Sequence, residues 1–276
     1  MLICPICGRP LTIEPHRCYC AKGHSFDRAR SGYVHLLPVQ HKHAKIPGDN
    51  ELMVKARRAF LSKGYYQPLA EAVCTQAAAV FRPVSEGSGT FLDAGCGEGY
   101  YTDQIDRQLR TAGNPLQSVG VDISKIALDQ AAKRTKNVLF AVASAYHLPI
   151  ADRSVDLLTC LFAPYSGKEF CRVLRPGGSM LLVVPGEDHL WELKQAVYER
   201  PYKNQVKSPE LEGFVLEGRQ RVESRLHLTC AEDIAHLFQM TPYYYKTGAA
   251  DQQRLLERTE LVTGLSFELF WYRRNR

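Results

Sequence analysis

Four metal-binding side chains lie close together near the start of the chain. Cys4 and Cys7 form a pair with two residues between them, and Cys20 and His24 form a pair with three between them. Two such pairs place four donors at the corners of a tetrahedron, the arrangement that Zn²⁺ prefers in structural sites. The surrounding segment has too few apolar residues to form a core unaided. The sequence therefore predicts one structural zinc ion.

Cys18 is an alternative to Cys20 as a ligand, because residues two apart on a strand point to the same side. We favour Cys20, since its spacing to His24 closes a compact turn that contains Gly23. Ordinary buried cysteines without a metal are the other interpretation. Four of the nine cysteines fall within the first 20 residues, a distribution that favours thiolate ligands in a reducing compartment over disulfides.

A glycine-rich stretch at residues 93–99 carries the second chemical signal. It follows a predicted strand and precedes a predicted helix, where Gly95 and Gly97 permit a ligand to approach the backbone closely. Asp93, just before them, would repel the pyrophosphate of a dinucleotide. It suits S-adenosylmethionine, which carries a cationic amino group and a sulfonium but no phosphate.

Two further residues follow strands in the order that this cofactor requires. Asp122 ends the second predicted strand, where a carboxylate can accept hydrogen bonds from both ribose hydroxyls. Ser144 follows the third strand, where we expect the adenine. The alternative interpretation is a glycine turn accompanied by aspartates that only cap helices.

The elements that must position these residues alternate between strand and helix, which is typical of a parallel α/β sheet. Before them, residues 50–80 predict two helices interrupted near Gly64 and Pro68. Beyond Trp191 the signals weaken. Strands are predicted at 91–94, 118–121, 138–142, 155–162, 180–184 and 264–272, and helices at 101–109, 125–134, 168–174 and 231–239.

The charge pattern favours a polyanionic partner without establishing one. The net charge is +6, and Lys42, Arg57 and Arg58 belong to a basic stretch close to the cysteines. A solvated helix face is the alternative for the two arginines. No apolar run approaches the roughly 20 residues that cross a bilayer, and the first residues do not resemble a secretion signal. We therefore expect a cytoplasmic protein with no membrane contact.

Several motifs are spread over most of the chain. They are Cys4-x2-Cys7, Cys20-x3-His24, Gly32–Lys42, Pro47–Asp49, Ala56–Leu61, Gly64–Leu69, the 93–101 loop with Asp122, Pro185–Leu190 and Met240–Pro242. Together they resemble the bacterial 23S ribosomal RNA guanine-N1 methyltransferases of the RlmA type, which are class I methyltransferases.

The resemblance implies a Rossmann-like α/β fold with a mostly parallel seven-stranded sheet and a small zinc-ribbon-like domain. The implied division is a zinc module at 1–40, a helical linker and cofactor lid at 41–82, and a methyltransferase domain at 83–276. The implied reaction is methyl transfer to N1 of one guanosine in a hairpin loop of domain II of 23S rRNA, by a homodimer. The implied zinc ligands are Cys4, Cys7, Cys20 and His24, and the implied cofactor contacts are Tyr66, Gly99, Tyr100, Asp122 and His189.

The sequence does not identify a catalytic base. Tyr165 follows the fourth predicted strand and is a candidate to stack on the target base, although an inward-packed aromatic is an equal alternative. Two competing functions remain, a methyltransferase that acts on a small molecule and a non-catalytic zinc-ribbon RNA-binding assembly factor. The zinc segment argues against the first, and intact Asp93, Gly95, Gly97 and Asp122 argue against the second.

Overall fold

The computed structural model describes residues 1–38, 48–83, 88–111, 113, 115–206 and 210–276. Two sheets organise them. The first 35 residues contain a small antiparallel sheet in the order β1-β2-β3, and the rest is built around an eight-stranded sheet in the order β10-β11-β9-β8-β5-β6-β7-β4. The strands are β1 Leu11–Ile13, β2 Arg17–Cys20, β3 Ser25–Asp27, β4 Val34–His35, β5 Gly89–Ala94, β6 Leu116–Asp122, β7 Val138–Val142, β8 Val155–Leu161, β9 Leu174–Pro185, β10 Phe214–Leu228 and β11 Leu261–Arg274.

Eight α-helices cover the large sheet within the described residues. They are α1 Glu51–Ser62, α2 Gln67–Val80, α3 Tyr100–Arg110, α4 Lys125–Arg134, α5 Gly167–Val173, α6 Trp191–Val197, α7 Ala231–Gln239 and α8 Ala249–Leu256. Local sequence fixes several starting points. Asn50 and Ser124 cap α1 and α4 by accepting hydrogen bonds from Met53 N and Ala127 N. Pro68 lies in the first turn of α2, where its missing N–H costs nothing.

The strand order explains why a site forms at one edge of the sheet. β5 lies between β6 and β8 and is parallel to both. The chain continues from β5 to β6 and β7 on one side and then crosses over to β8 on the other side. A crevice opens outside the carboxyl ends of such strands. The loops that follow β5, β6, β7 and β8 therefore meet around one opening.

The predicted α/β fold is confirmed, with one addition. Seven strands, β5 to β11, form the expected mostly parallel sheet, and only β10 and β11 are antiparallel to their neighbours. The eighth strand is β4, which pairs parallel to β7 at the edge. It comes from the residues assigned to the zinc module, so that module shares the sheet and its core.

The core of the large sheet reaches into the front of the chain. Leu2, Cys18 and Val34 pack in the same buried cluster as Leu92 and Val119 of the sheet.

Within the described residues, no helix is both long and apolar enough to cross a membrane.

Candidate active site and metal site

The four predicted zinc ligands converge in the structure. Their ligand atoms all lie within 4.8 Å of one another. His24 Nδ1 is 3.4 Å from Cys4 Sγ and 3.5 Å from Cys20 Sγ, and the sulfurs of Cys7 and Cys20 are 3.6 Å apart. A tetrahedron with Zn–S bonds of about 2.3 Å has edges of about 3.8 Å. The donor set and its dimensions therefore fit one structural zinc ion.

Cys18 and Cys20 have separate roles. Cys18 is fully buried against the apolar core and does not belong to the ligand cluster. Burial raises the pKa of the Cys18 thiol. Burial opposes ionisation of Cys20 as well, but hydrogen bonds from the backbone of Lys22 and His24 outweigh it and lower its pKa to about 6. Cys20 is thus the thiol that the fold prepares as a thiolate.

A cavity of about 660 Å³ opens where the loops after β5, β6, β7 and β8 meet. Seven of the nine predicted cofactor contacts lie in its wall, and two do not. The seven are Tyr66, Gly95, Gly97, Tyr100, Asp122, Ser144 and His189, and the two outside the wall are Asp93 and Gly99.

The glycine loop and Asp122 form one hydrogen-bonded unit. Gly95 and Gly97 both have positive φ, and a Cβ on Gly95 would collide with Ala163 of the neighbouring loop. The Asp122 carboxylate accepts hydrogen bonds from Gly97 N at 2.9 Å and from Ser124 N at 2.8 Å. These bonds fix the carboxylate at the end of β6, so that it faces the cavity with acceptor capacity left for ribose hydroxyls.

Asp93 lies beneath the loop, not in the cavity wall. Its carboxylate accepts hydrogen bonds from the hydroxyls of Thr102 at 2.5 Å and Thr159 at 2.7 Å. Burial nonetheless raises the pKa of Asp93 to about 6. Gly99 also packs inward, because a Cβ there would press on Ala131. Both residues shape the loop from below.

His189 is buried beside Tyr66 at the edge of the cavity. Its Nδ1 accepts a hydrogen bond from Ser266 N at 3.4 Å, and its Nε2 lies 3.5 Å from the Tyr66 hydroxyl. Burial lowers the pKa of His189 to about 3. The imidazole is therefore neutral, and with Nδ1 as acceptor the proton lies on Nε2. His189 can donate a hydrogen bond to a ligand there but cannot remove a proton at that atom.

Sequence reasoning placed Arg57 with the RNA contacts, whereas the structure places it in the cavity wall. Arg57 Nη1 pairs with Asp49, and its Nη2 donates to the Met240 carbonyl at 3.1 Å. Among the described residues of this wall, Arg57 is the only lysine or arginine. Asp49 and Met240 were missed as site residues, although both lie in segments that carry the family resemblance.

The other predicted RNA contacts are spread out. Arg58 lies on α1 and lines a surface groove between α1 and α4 with Lys55 and Lys125, together with the acidic Glu51 and Asp129. Lys42 lies outside the described residues.

Tyr165 packs inward, its ring 6.2 Å from that of Phe170, and it does not line the cavity. This packing corresponds to the inward-packed alternative, and contact of Tyr165 with RNA stays a prediction. Phe162, three residues earlier, lines the cavity instead.

Comparisons with known proteins agree with this geometry. Residues 2–45 match a model described as RlmA, N-terminal, and residues 91–178 match a methyltransferase domain. A protein of Micromonospora griseorubida named for 23S rRNA (guanine-N1)-methyltransferase activity is 40% identical over 70% of this chain and 68% of its own length.

Two further relatives extend the match. The 23S rRNA (guanine(748)-N1)-methyltransferase of Streptomyces fradiae is 36% identical over 71% of this chain and 67% of its own length. A Bacillus subtilis protein, YxjB, named for the same guanine-N1 activity, is 30% identical over 88% of this chain and 86% of its own length.

Proposed function

Since the chain belongs to the family of RlmA-type 23S rRNA (guanine-N1)-methyltransferases, we propose that it transfers a methyl group from S-adenosylmethionine to N1 of one guanosine in a domain II hairpin loop of 23S rRNA. One observation carries the proposal. The glycine loop, Asp122 and Arg57 line a single cavity beside a zinc-ligating module. A homodimer and a cytoplasmic location stay predictions.

The cavity matches the chemistry of this cofactor in three places. Asp122 offers carboxylate oxygens to the ribose hydroxyls, and Ser144 lies after β7 on the adenine side. Arg57 is the cation that can face the methionine carboxylate, near Gly97. The cofactor supplies an activated methyl group when bound.

Positioning is the main task that remains for the protein. Guanine N1 must lie in line with the methyl carbon and the sulfur, and a fixed orientation provides most of the acceleration. Neutral His189 offers an N–H donor next to Tyr66. Glu98 also lines the cavity, where burial raises the pKa of its carboxyl although it forms an ion pair with Arg134 at 2.5 Å.

The RNA around the target needs contacts beyond the cavity. The target base must leave its stack to reach a cofactor inside a cavity, which costs least in a loop. Arg58, Lys55 and Lys125 line the groove between α1 and α4, where they can contact phosphates. The zinc module borders this groove through Tyr33.

The test is mass spectrometry of nucleosides from unmodified 23S RNA after incubation with the purified protein and isotopically labelled S-adenosylmethionine. We expect labelled 1-methylguanosine, and fragment mapping should place it in the domain II hairpin. The name of the S. fradiae relative makes guanine 748 the first position to inspect.

The matched control for Asp122→Asn is Asp152→Asn, which changes an exposed aspartate that pairs with Arg172 and lines neither the cavity nor the groove. Labelling of the RNA should fall in Asp122→Asn and stay unchanged in the control. No labelled RNA despite calorimetric cofactor binding would replace the proposal with a small-molecule substrate. A failure to bind the cofactor would instead favour the non-catalytic assembly factor.

A further inference from the structure

Phe162 combines two features that folding alone does not favour. Its φ is +57°, and only Arg153 and Leu190 share a positive φ among the described non-glycine residues. A bulky side chain is strained in this left-handed region. Phe162 is also 42% exposed, whereas Leu190 is fully buried. Strain that is not compensated by burial of the ring points to a role in binding.

The surroundings of Phe162 hold its ring in place at the cavity. Its N–H donates to the Val183 carbonyl at 3.0 Å. The ring contacts the aromatic wall, with centroids 5.6 Å from Phe267 and 6.3 Å from Tyr101. Ala163, the next residue, packs directly against Gly95 of the glycine loop. The ring is thus supported on one side and open to the cavity.

The strand order places Phe162 at the end of the cavity where the target base must enter. Asp122 and Ser144 follow β6 and β7, on one side of β5, and Phe162 follows β8 on the other side. If Asp122 holds the ribose and the adenine lies near Ser144, the methionine end of the cofactor would lie on the β8 side of the β5 loop. The transferable methyl group and the incoming base would then meet near Phe162.

Tyr146 is a second exposed aromatic residue that could stack on the target base, but it lies at the other end of the cavity. Tyr146 also lines the cavity and is 50% exposed, but it follows β7 at the adenine end. We propose that Phe162 is the stacking face for the extruded guanine and positions N1 for transfer, a role that sequence reasoning gave to Tyr165. This inference rests on the proposed function for the identity of the base.

The first test compares three variants by initial rates over a range of 23S RNA concentrations, with cofactor affinity measured by calorimetry. Phe162→Leu keeps apolar volume but removes the aromatic face. Since base stacking contributes about 1–3 kcal/mol, we expect kcat/KM for RNA to fall about 5- to 150-fold. Phe162→Tyr restores the face and should retain most of the activity. Val215→Ala removes an exposed apolar side chain outside the cavity wall and should match the parent.

The stacking role is overturned if Phe162→Leu methylates like the parent, if it weakens cofactor binding by the same factor, or if Phe162→Tyr is as impaired as Phe162→Leu.

A second readout does not require RNA methylation. Phe162→Trp, loaded with S-adenosylhomocysteine, should lose tryptophan fluorescence when guanosine monophosphate is added, beyond any change from Trp191 and Trp271 in the parent.

The two readouts separate the two proposals. If the parent does not methylate RNA but Phe162→Trp is quenched by the nucleotide, the proposed function fails and the stacking face stands. If the parent methylates RNA and Phe162→Trp is not quenched, the stacking face fails alone.

Discussion

The two sheets of this protein, one small and antiparallel and the other large and mostly parallel, have different sources of stability. β5 and β8 are buried along their whole length, so the hydrophobic effect stabilises them. No residue of β1 or β3 is buried. The small sheet depends on four ligands brought together around one metal site. The contrast teaches that β1 and β3 depend mainly on coordination chemistry, whereas the large sheet depends on packing.

The largest effect is expected when one of the predicted zinc ligands is removed. Structural zinc contributes about 10–16 kcal/mol to the folding of small zinc peptides, so we expect Cys4→Ser to unfold the small sheet. Zinc analysis should show loss of the metal. Hydrogen exchange should rise in β1 to β3 while β5 and β8 stay protected.

The control for that experiment is Cys18→Ala. Cys18 is buried in the core and lies outside the ligand cluster, so this variant should keep one zinc per chain. If Cys18→Ala loses the metal and Cys4→Ser keeps it, the assigned ligand set is wrong.

A packing mutation tests the other half of the comparison. Leu158 lies fully buried in the middle of β8, so Leu158→Ala should lower the free energy of unfolding by about 2–5 kcal/mol. Denaturant titration measures the loss, and the zinc content should not change. Ile13→Ala, on the exposed face of the small sheet, should change stability by less than about 0.5 kcal/mol. Equal losses of unfolding free energy in Leu158→Ala and Ile13→Ala would show that packing contributes equally to the two sheets.

The buried carboxyl group of Asp93, beneath the glycine loop, should make the free energy of unfolding depend on pH. Burial raises the pKa of Asp93 to about 6 from 3.8, so the folded state holds this proton more tightly than the unfolded chain. Its contribution to stability is full below pH 4 and is lost as pH rises through 6. Two pKa units correspond to about 3 kcal/mol.

The difference in unfolding free energy between the parent and Asp93→Asn isolates this contribution, because any effect of pH on the zinc site cancels. We expect the difference to change between pH 4 and pH 6 and to be constant above pH 7. A difference independent of pH throughout would show that Asp93 ionises normally.

The smallest effect concerns binding and should leave both sheets intact. Asp122→Asn removes a charged acceptor from the cavity, and hydrogen bonds to charged groups contribute about 1.5–3 kcal/mol. The dissociation constant for S-adenosylmethionine should therefore rise about 10- to 100-fold in calorimetry. Asp129→Asn serves as the control, since that carboxylate pairs with Lys133 at the surface. An equal loss in both variants would assign the effect to net charge.

Features set by neighbouring residues in the sequence were predicted well. The cysteine spacing indicated the metal cluster, and helices α4 and α7 have the predicted bounds. The glycine loop and Asp122 were predicted because both follow strands whose alternation with helices is visible in the sequence.

Features that depend on contacts between distant segments were not predicted. Arg57 looks like a solvated helix residue until α1 packs beside α7 and brings it to Met240. β10 was missed because Gly218, Gln220 and Ser224 interrupt its apolar face and most of its residues are exposed. Phe162 and Tyr165 are equivalent in the sequence, and only the backbone conformation at Phe162 turns its ring toward the cavity.

The short strand β4 has a consequence for solubility. Unpaired strand edges recruit other chains, and proteins protect themselves by covering such edges. Val34 and His35 occupy the free side of β7, next to the segment that holds the metal. The zinc module thus covers part of the β7 edge, although all four of its predicted ligands lie outside the large sheet.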